Sequence, residues 1–186
     1  MSRWFFEPGH TSAEFSVRHM MVTEVRGFFK NVHGWMELDD ADPTRGSVEV
    51  TIDARGLFTG EPQRDDHLRS ADFLDVEHHP EIRFSGHVAR IVGPGEYKVE
   101  GELTIRGVRR TVVLDVRRTG EWWTLWWEDG VDKGPRLRAG FVATTRIDRH
   151  DFGVSWNAAI EGGGVVVADK VTLTIEAEAT LDHPAA

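Results

Sequence analysis

The stretch "KVTLTIEAEATL", Lys170 to Leu181, alternates without a break. Val171, Leu173, Ile175, Ala177, Ala179 and Leu181 fall on one side of an extended chain. Lys170, Thr172, Thr174, Glu176, Glu178 and Thr180 fall on the other. A side-chain period of two belongs to a β-strand with one buried and one wet face. The pattern recurs. "SVEVTIDA" turns Val48, Val50, Ile52 and Ala54 inward, "YKVEGELTIRG" groups Tyr97, Val99, Leu103 and Ile105, and "RLRAGFVATTRI" sets Leu137, Ala139, Phe141, Ala143 and Ile147 opposite Arg136, Arg138 and Arg146. "VGPGEY", "IRGVRRT" and "DDADPTRG" separate the runs with turn residues. The count is about eight strands, connected in sequence and hence paired antiparallel. In "RGFFKNVHGWMEL" Phe28 and Phe29 cannot both face inward, which predicts a β-bulge there.

Helix signals are scarce. "HMMVTEVRG" has room for one short turn. "EPQRDDHLRSADFLDV" reads as two short helical turns, the second capped by Ser70 or Asp72, with Leu68, Phe73 and Leu74 plugging a barrel end. With no internal repeat and no low-complexity linker, residues 1–186 read as one continuous domain. Long amphipathic strands with little helix leave a two-sheet sandwich or an up-and-down barrel. Strands of about ten residues, against the usual five to six, favour a tall barrel with a long cavity.

The formal net charge of −9 argues against a nucleic-acid partner, whose phosphates call for Lys and Arg. The chain has no cysteine, which excludes disulfides and thiolate zinc sites. "MSRWFFEPGH" has no apolar h-region, and no window approaches eighteen apolar residues, so the expectation is a soluble cytoplasmic protein with no stable membrane insertion.

Four segments together, "PGHTSAEFSVRHM", "RDDHLRSADFLDVEHHP", "GELTIRGVRR" and "RIDRHDFGVSWN", resemble the YceI-like family of polyisoprenoid-binding, lipocalin-like proteins, over nearly the full length. The resemblance implies an all-β fold: an extended eight-stranded antiparallel barrel with one or two short helices. It implies a narrow apolar pocket for an isoprenoid chain, an isoprenoid quinone or a fatty amphiphile. It also implies a homodimer and no established catalytic activity.

Joined to the strand alternation, this nominates Phe15, Val17, Val50, Phe84, Leu103, Ile105, Phe141 and Trp156 as pocket wall, Leu68 and Phe73 at its end, and His19 at its polar end. No cofactor is expected beyond the bound lipid-like ligand. The rival reading is a metal-dependent or other enzyme using histidines at the pocket end. His67, His78 or His79 would join Asp65, Asp66 or Asp75, or His67 would meet His10 and His19. The spacing in "RDDHLRSADFLDVEHHP" matches no fixed ligand motif, and a structural loop is the expectation. In "RIDRHDF", adjacent His150 and Asp151 point to opposite faces of a strand, and Arg149 is expected to pair with Asp151 above a packed Phe152.

"EWWTLWWEDG" puts Trp122 and Trp126 on one face with Thr124, and Trp123 and Trp127 on the other with Leu125. The expectation is one pair buried and one pair at a subunit contact. A lid over the pocket and a membrane-contact tip are the other two readings.

Overall fold

The computed structural model describes residues 1–182. Eleven strand segments join one sheet, and their order shows a simple meander. β1 (Ser2–Phe6) and β2 (Ser12–His19) lie end to end along the last strand. β3 (Thr23–Phe29) and β4 (Val32–Leu38) continue one another, as do β5 (Ser47–Asp53) and β6 (Leu57–Phe58). β7 (Glu81–Gly93), β8 (Glu96–Ile105), β9 (Val108–Glu128) and β10 (Val131–Asp148) follow. A small hairpin of β11 (Ala159–Ile160) and β12 (Gly164–Val165) precedes β13 (Val167–Leu181). β13 pairs with β10 on one side and with β1 and β2 on the other, closing an eight-stranded antiparallel barrel. Closure removes most of the free sheet edge that a sandwich would leave.

The breaks within the paired segments have local causes. The interruption between β3 and β4 falls at Asn31, at φ 59°, in the left-handed region. Phe29 is buried and Phe28 faces out by ordinary strand alternation, and the β3–β2 ladder runs through both with no register shift, so no bulge falls at the double phenylalanine and the interruption comes two residues later. Three tight bends have two turn residues with glycine second: Pro94–Gly95, Arg106–Gly107 and Asp129–Gly130. Asp129 and Gly130 both have positive φ (51° and 77°), the geometry that matches the twist of a two-residue hairpin.

The polar stretch after β6 forms one helix, α1 (Pro62–Arg69), and not two helical turns. Pro62 starts it, where a missing N–H is harmless. Ser70 ends it and caps no second helix: its N–H reaches the carbonyls of Asp66 and His67, and its carbonyl receives Phe73 N (3.0 Å) and Asp75 N (2.9 Å). Those bonds turn the chain so that Phe73 and Val76 go into the core beside Leu68 and Leu74. α1 and this loop therefore close one end of the barrel.

The opposite end is closed by a separate packed group of Trp4, Met36, Ala139, Phe141 and Ala179. Burial of each large side chain here contributes about 1.5–3 kcal/mol. Beyond that group, β9 and β10 continue as a projecting ribbon. Arg117 is the last β9 residue paired with β8, and Thr180 lies opposite Arg138, so the rest of the hairpin has sheet partners only within itself.

Candidate functional site: an apolar barrel cavity

The inward residues of the barrel do not fill it. They enclose a cavity of about 690 Å³ that runs from the α1 end to the Asp39–Asp40 loop. All eleven nominated residues line it: Phe15, Val17, His19, Val50, Leu68, Phe73, Phe84, Leu103, Ile105, Phe141 and Trp156. Strand register explains the gathering. Phe15 sits opposite Leu173, Val50 opposite Phe84 and Phe84 opposite Leu103, and directly opposed residues share a face. The same alternation brings in Val48, Ile52, Tyr97, Val99, Ala143 and Ile175.

Sequence reasoning missed the helix and loop contributions. Glu61, Gln63 and Arg64 of the α1 region, Arg149, and Asp39 and Asp40 also line the cavity, and no period-two signal marks them. The cations among the lining residues already have partners. Arg64 donates from Nε to Thr59 Oγ1 (2.8 Å) and from Nη2 to the Thr59 carbonyl (3.1 Å). Arg118 pairs with Glu121, and Arg83 with Glu81.

Arg149 does not form the expected ion pair with Asp151, which is exposed. Its buried guanidinium donates to the carbonyls of Ala168 (2.9 Å), Val154 (2.7 Å), Trp156 (2.9 Å) and Val167 (3.2 Å). Burial pulls its pKa down, and the nearby charges of Asp169 and Asp148 oppose that. The group is thus a brace that ties the 154–168 connection to the barrel. Phe152 packs below it, buried as expected. His150 binds Asp169 through Nε2 at 3.0 Å, away from Asp151.

At the α1 end, the His67 ring stands edge-on to Phe73 and to Trp156, with centroids 5.0 and 4.7 Å apart. Its Nε2 lies 2.9 Å from Asp72 Oδ2, which orients the ring. The histidines of the rival reading do not assemble. His10 sits on the outer surface with Nδ1 3.3 Å from Glu178, while His19 and His67 line the cavity. Asp65 accepts from Thr59 N (2.9 Å), and Asp75 holds His78 Nδ1 at 2.8 Å. Among the described residues no group of three or more His, Asp or Glu side chains is placed to hold a metal ion. The charged groups of that polar loop clamp turns.

The tryptophan hairpin lies at the far end. Trp122, Trp123 and Trp127 are exposed, so neither pair is buried within the chain. Trp126 is half-buried, with the Arg136 and Arg138 guanidinium groups 4.3 and 5.0 Å from its ring centroid.

Residues 4–179 of the chain match the YceI-like domain model. The chain belongs to the YceI-like family. A relative in Serratia proteamaculans, a UPF0312 protein, is 36% identical over 146 residues, which are 78% of this chain and 71% of that protein. The fold is shared with Burkholderia cenocepacia BcnA, at a TM-score of 0.74 and 22% identity over 93% of this chain and 98% of that one. It is also shared with a polyisoprenoid binding domain from Saccharophagus degradans, at a TM-score of 0.67 and 14% identity over 98% and 100%. This YceI-like chain has no helix long and apolar enough to cross a membrane among its described residues.

Proposed function

We propose that this YceI-like chain is a non-enzymatic carrier that holds a long isoprenoid, an isoprenoid quinone or a fatty amphiphile in the barrel cavity. One observation carries the reading: a cavity of about 690 Å³ whose wall is mostly aliphatic and aromatic. Water in such a space finds few hydrogen-bond partners, whereas an apolar chain gains about 25 cal/mol for each Å² removed from water. The fold neighbour described as a polyisoprenoid binding domain supports the same ligand class. The proposed contacts are the eleven residues named above.

Native mass spectrometry of freshly purified protein, followed by denaturing extraction, tests it. The expected result is an adduct of several hundred daltons per chain that is released as an apolar chain. A clean apo mass after gentle purification, with no uptake of added alkyl-chain ligand, would overturn it. Elemental analysis checks the rival reading: stoichiometric metal lost in His67→Ala would favour an enzyme.

The proposal extends to a homodimer joined through the tryptophan hairpin, whose exposed indoles are the kind of surface that protein contacts favour. Light scattering on Trp123→Ser/Trp127→Ser would give a monomer. It also extends to a cytoplasmic location, checked by cell fractionation.

A further inference from the structure

The barrel wall is breached between β3 and α1. β6 pairs with β3 only at Phe28↔Phe58 and Phe29↔Leu57, so Thr23 to Arg26 have ladder partners on β2 alone. The start of α1 lies across from that edge: a Cβ on Gly27 would come within 2.8 Å of Thr59 Cγ2, three residues before the helix. Val25 on one side and Glu61, Gln63 and Arg64 on the other all line the cavity; Gln63 is exposed, and the other three are partly buried. Here the cavity meets solvent.

Beside the breach, the bend between β2 and β3 breaks a turn rule. Both of its central residues, Met20 and Met21, have positive φ, 47° and 62°. That geometry favours asparagine and glycine, because a Cβ crowds the backbone there. The bend is nevertheless fastened. Val22 N donates to the His19 carbonyl (3.1 Å), Met20 N to the Val166 carbonyl (2.8 Å), and Arg18 Nη2 to the Met21 carbonyl (3.2 Å). What this strained backbone presents is apolar and wet: Met20 and Met21 are exposed, and Val22 is 76% exposed. Folding gives no reason for the arrangement, since none of the three side chains is buried. Strain of this kind persists where function selects it.

The position supplies a reason. His19 and Val25, which flank the tip, line the cavity, and so does Val166, which holds Met20. At the other end of the breach Phe58 is 60% exposed, opposite Phe28 on the outer face. The mouth therefore has an apolar rim continuous with the cavity wall.

We infer that the Met20–Val22 tip is a portal that dips into a lipid surface, so that an apolar chain passes between bilayer and cavity through the β3–α1 gap without crossing water. The inference rests on the carrier reading. It commits to an uncharged bilayer. Arg26 beside the tip is already paired with Glu14 and Glu24, and a chain of net charge −9 gains nothing from anionic lipid. A methionine-rich apolar tip needs no counter-charge to enter the interfacial zone.

The test is stopped-flow transfer of a fluorescent alkyl-chain probe from phosphatidylcholine vesicles to the protein, with vesicle co-flotation beside it. Val22→Asp is expected to slow transfer about tenfold, the worth of one inserted valine side chain, and to abolish flotation. Its equilibrium affinity for probe in detergent should be unchanged. Met20→Asn/Met21→Gly should slow transfer while raising the melting temperature, because it removes both the apolar tip and the strain. Val92→Asp, an exposed residue beside the β7–β8 bend at the far end of the barrel, should leave the transfer rate as it was.

Transfer at the wild-type rate in Val22→Asp overturns the portal while leaving the carrier intact. Slowing by Val92→Asp alone moves the portal to the other end and overturns it equally. A wild type that takes up no probe refutes the carrier reading, and flotation then decides for or against lipid contact by the tip. Conversion of a dimer to a monomer by Val22→Asp would show that a second copy covers the tip, and would also overturn the proposal.

Discussion

The Phe84 ring lies across Gly101 on the neighbouring strand, with its Cζ 2.7 Å from where a Cβ on Gly101 would stand. Gly86, directly opposite Gly101, lies under the same ring, with Phe84 Cζ again 2.7 Å from a built Cβ. The pair of glycines is a recess that takes the ring close against the wall. A methyl at 101 would also meet the Ser85 carbonyl oxygen at 2.4 Å, which is backbone and cannot turn aside. Gly101→Ala is therefore expected to destabilise the fold by about 2–3 kcal/mol through overpacking, read as a lower midpoint in urea unfolding.

Arg149 gives the largest expected loss from a single polar side chain. Arg149→Ala would leave the carbonyls of Val154, Trp156, Val167 and Ala168 without the donor they share. The cost expected is about 3–5 kcal/mol, in the range seen when a buried charged group is removed from its partners. Arg149→Lys should recover only part of it, since an ammonium lacks the planar fork that reaches carbonyls on two segments. Chemical denaturation of the two variants checks the order.

Filling the cavity separates binding from folding. Ala143 lines it from β10, opposite Val116. Ala143→Phe is expected to occupy ligand space, lower probe affinity by at least about tenfold, and leave the melting temperature of the empty protein unchanged or higher. Probe titration and thermal melts on the same preparation report both effects.

The His78–Asp75 pair sets a weak pH dependence. The Asp75 hydrogen bond, then its charge and that of Glu77, raise the His78 pKa above the ordinary 6.5. The His78 hydrogen bond lowers that of Asp75 below 3.8. A raised histidine contributes stability that is full below 6.5 and is lost as pH climbs through the folded value. A lowered carboxylate contributes above 3.8 and loses its part as pH falls through its own folded value. The melting temperature should thus decline slightly between about pH 6 and about pH 8, and His78→Gln should flatten that decline. His78 is exposed and Asp75 only partly buried, so the effect is small and screened by salt.

Much of the wall of this barrel was legible in one dimension. Where residues alternate with a period of two, inward and outward are decided by the strand itself, and Val48 to Ile52, Tyr97 to Ile105 and Val171 to Ala177 all face as their alternation predicts. The double phenylalanine needed no bulge, because alternation alone turns Phe28 out and Phe29 in, and the break at Asn31 has no counterpart in that pair. Local chain geometry was sufficient in each case.

The rest depended on which distant segments meet. The partners of Arg149 are carbonyls up to nineteen residues away, which no spacing rule brings near, and the expected pairing with adjacent Asp151 lost to them. Ser70 ended a helix where it was expected to start one, because its carbonyl and N–H were taken by a turn that buries Phe73. The tryptophans of the hairpin lie beyond the last neighbour of β9, so alternation there assigns faces but provides no interior to bury one. The recess of Gly86 and Gly101 exists only once β7 and β8 pair in register. The sequence by itself determined the strands, their inward faces and the family. Tertiary structure alone decided that those faces leave a cavity, which cations are spent on bracing it, and where it opens. Periodicity records the direction of a side chain, whereas a void is a property of the packing of all of them together.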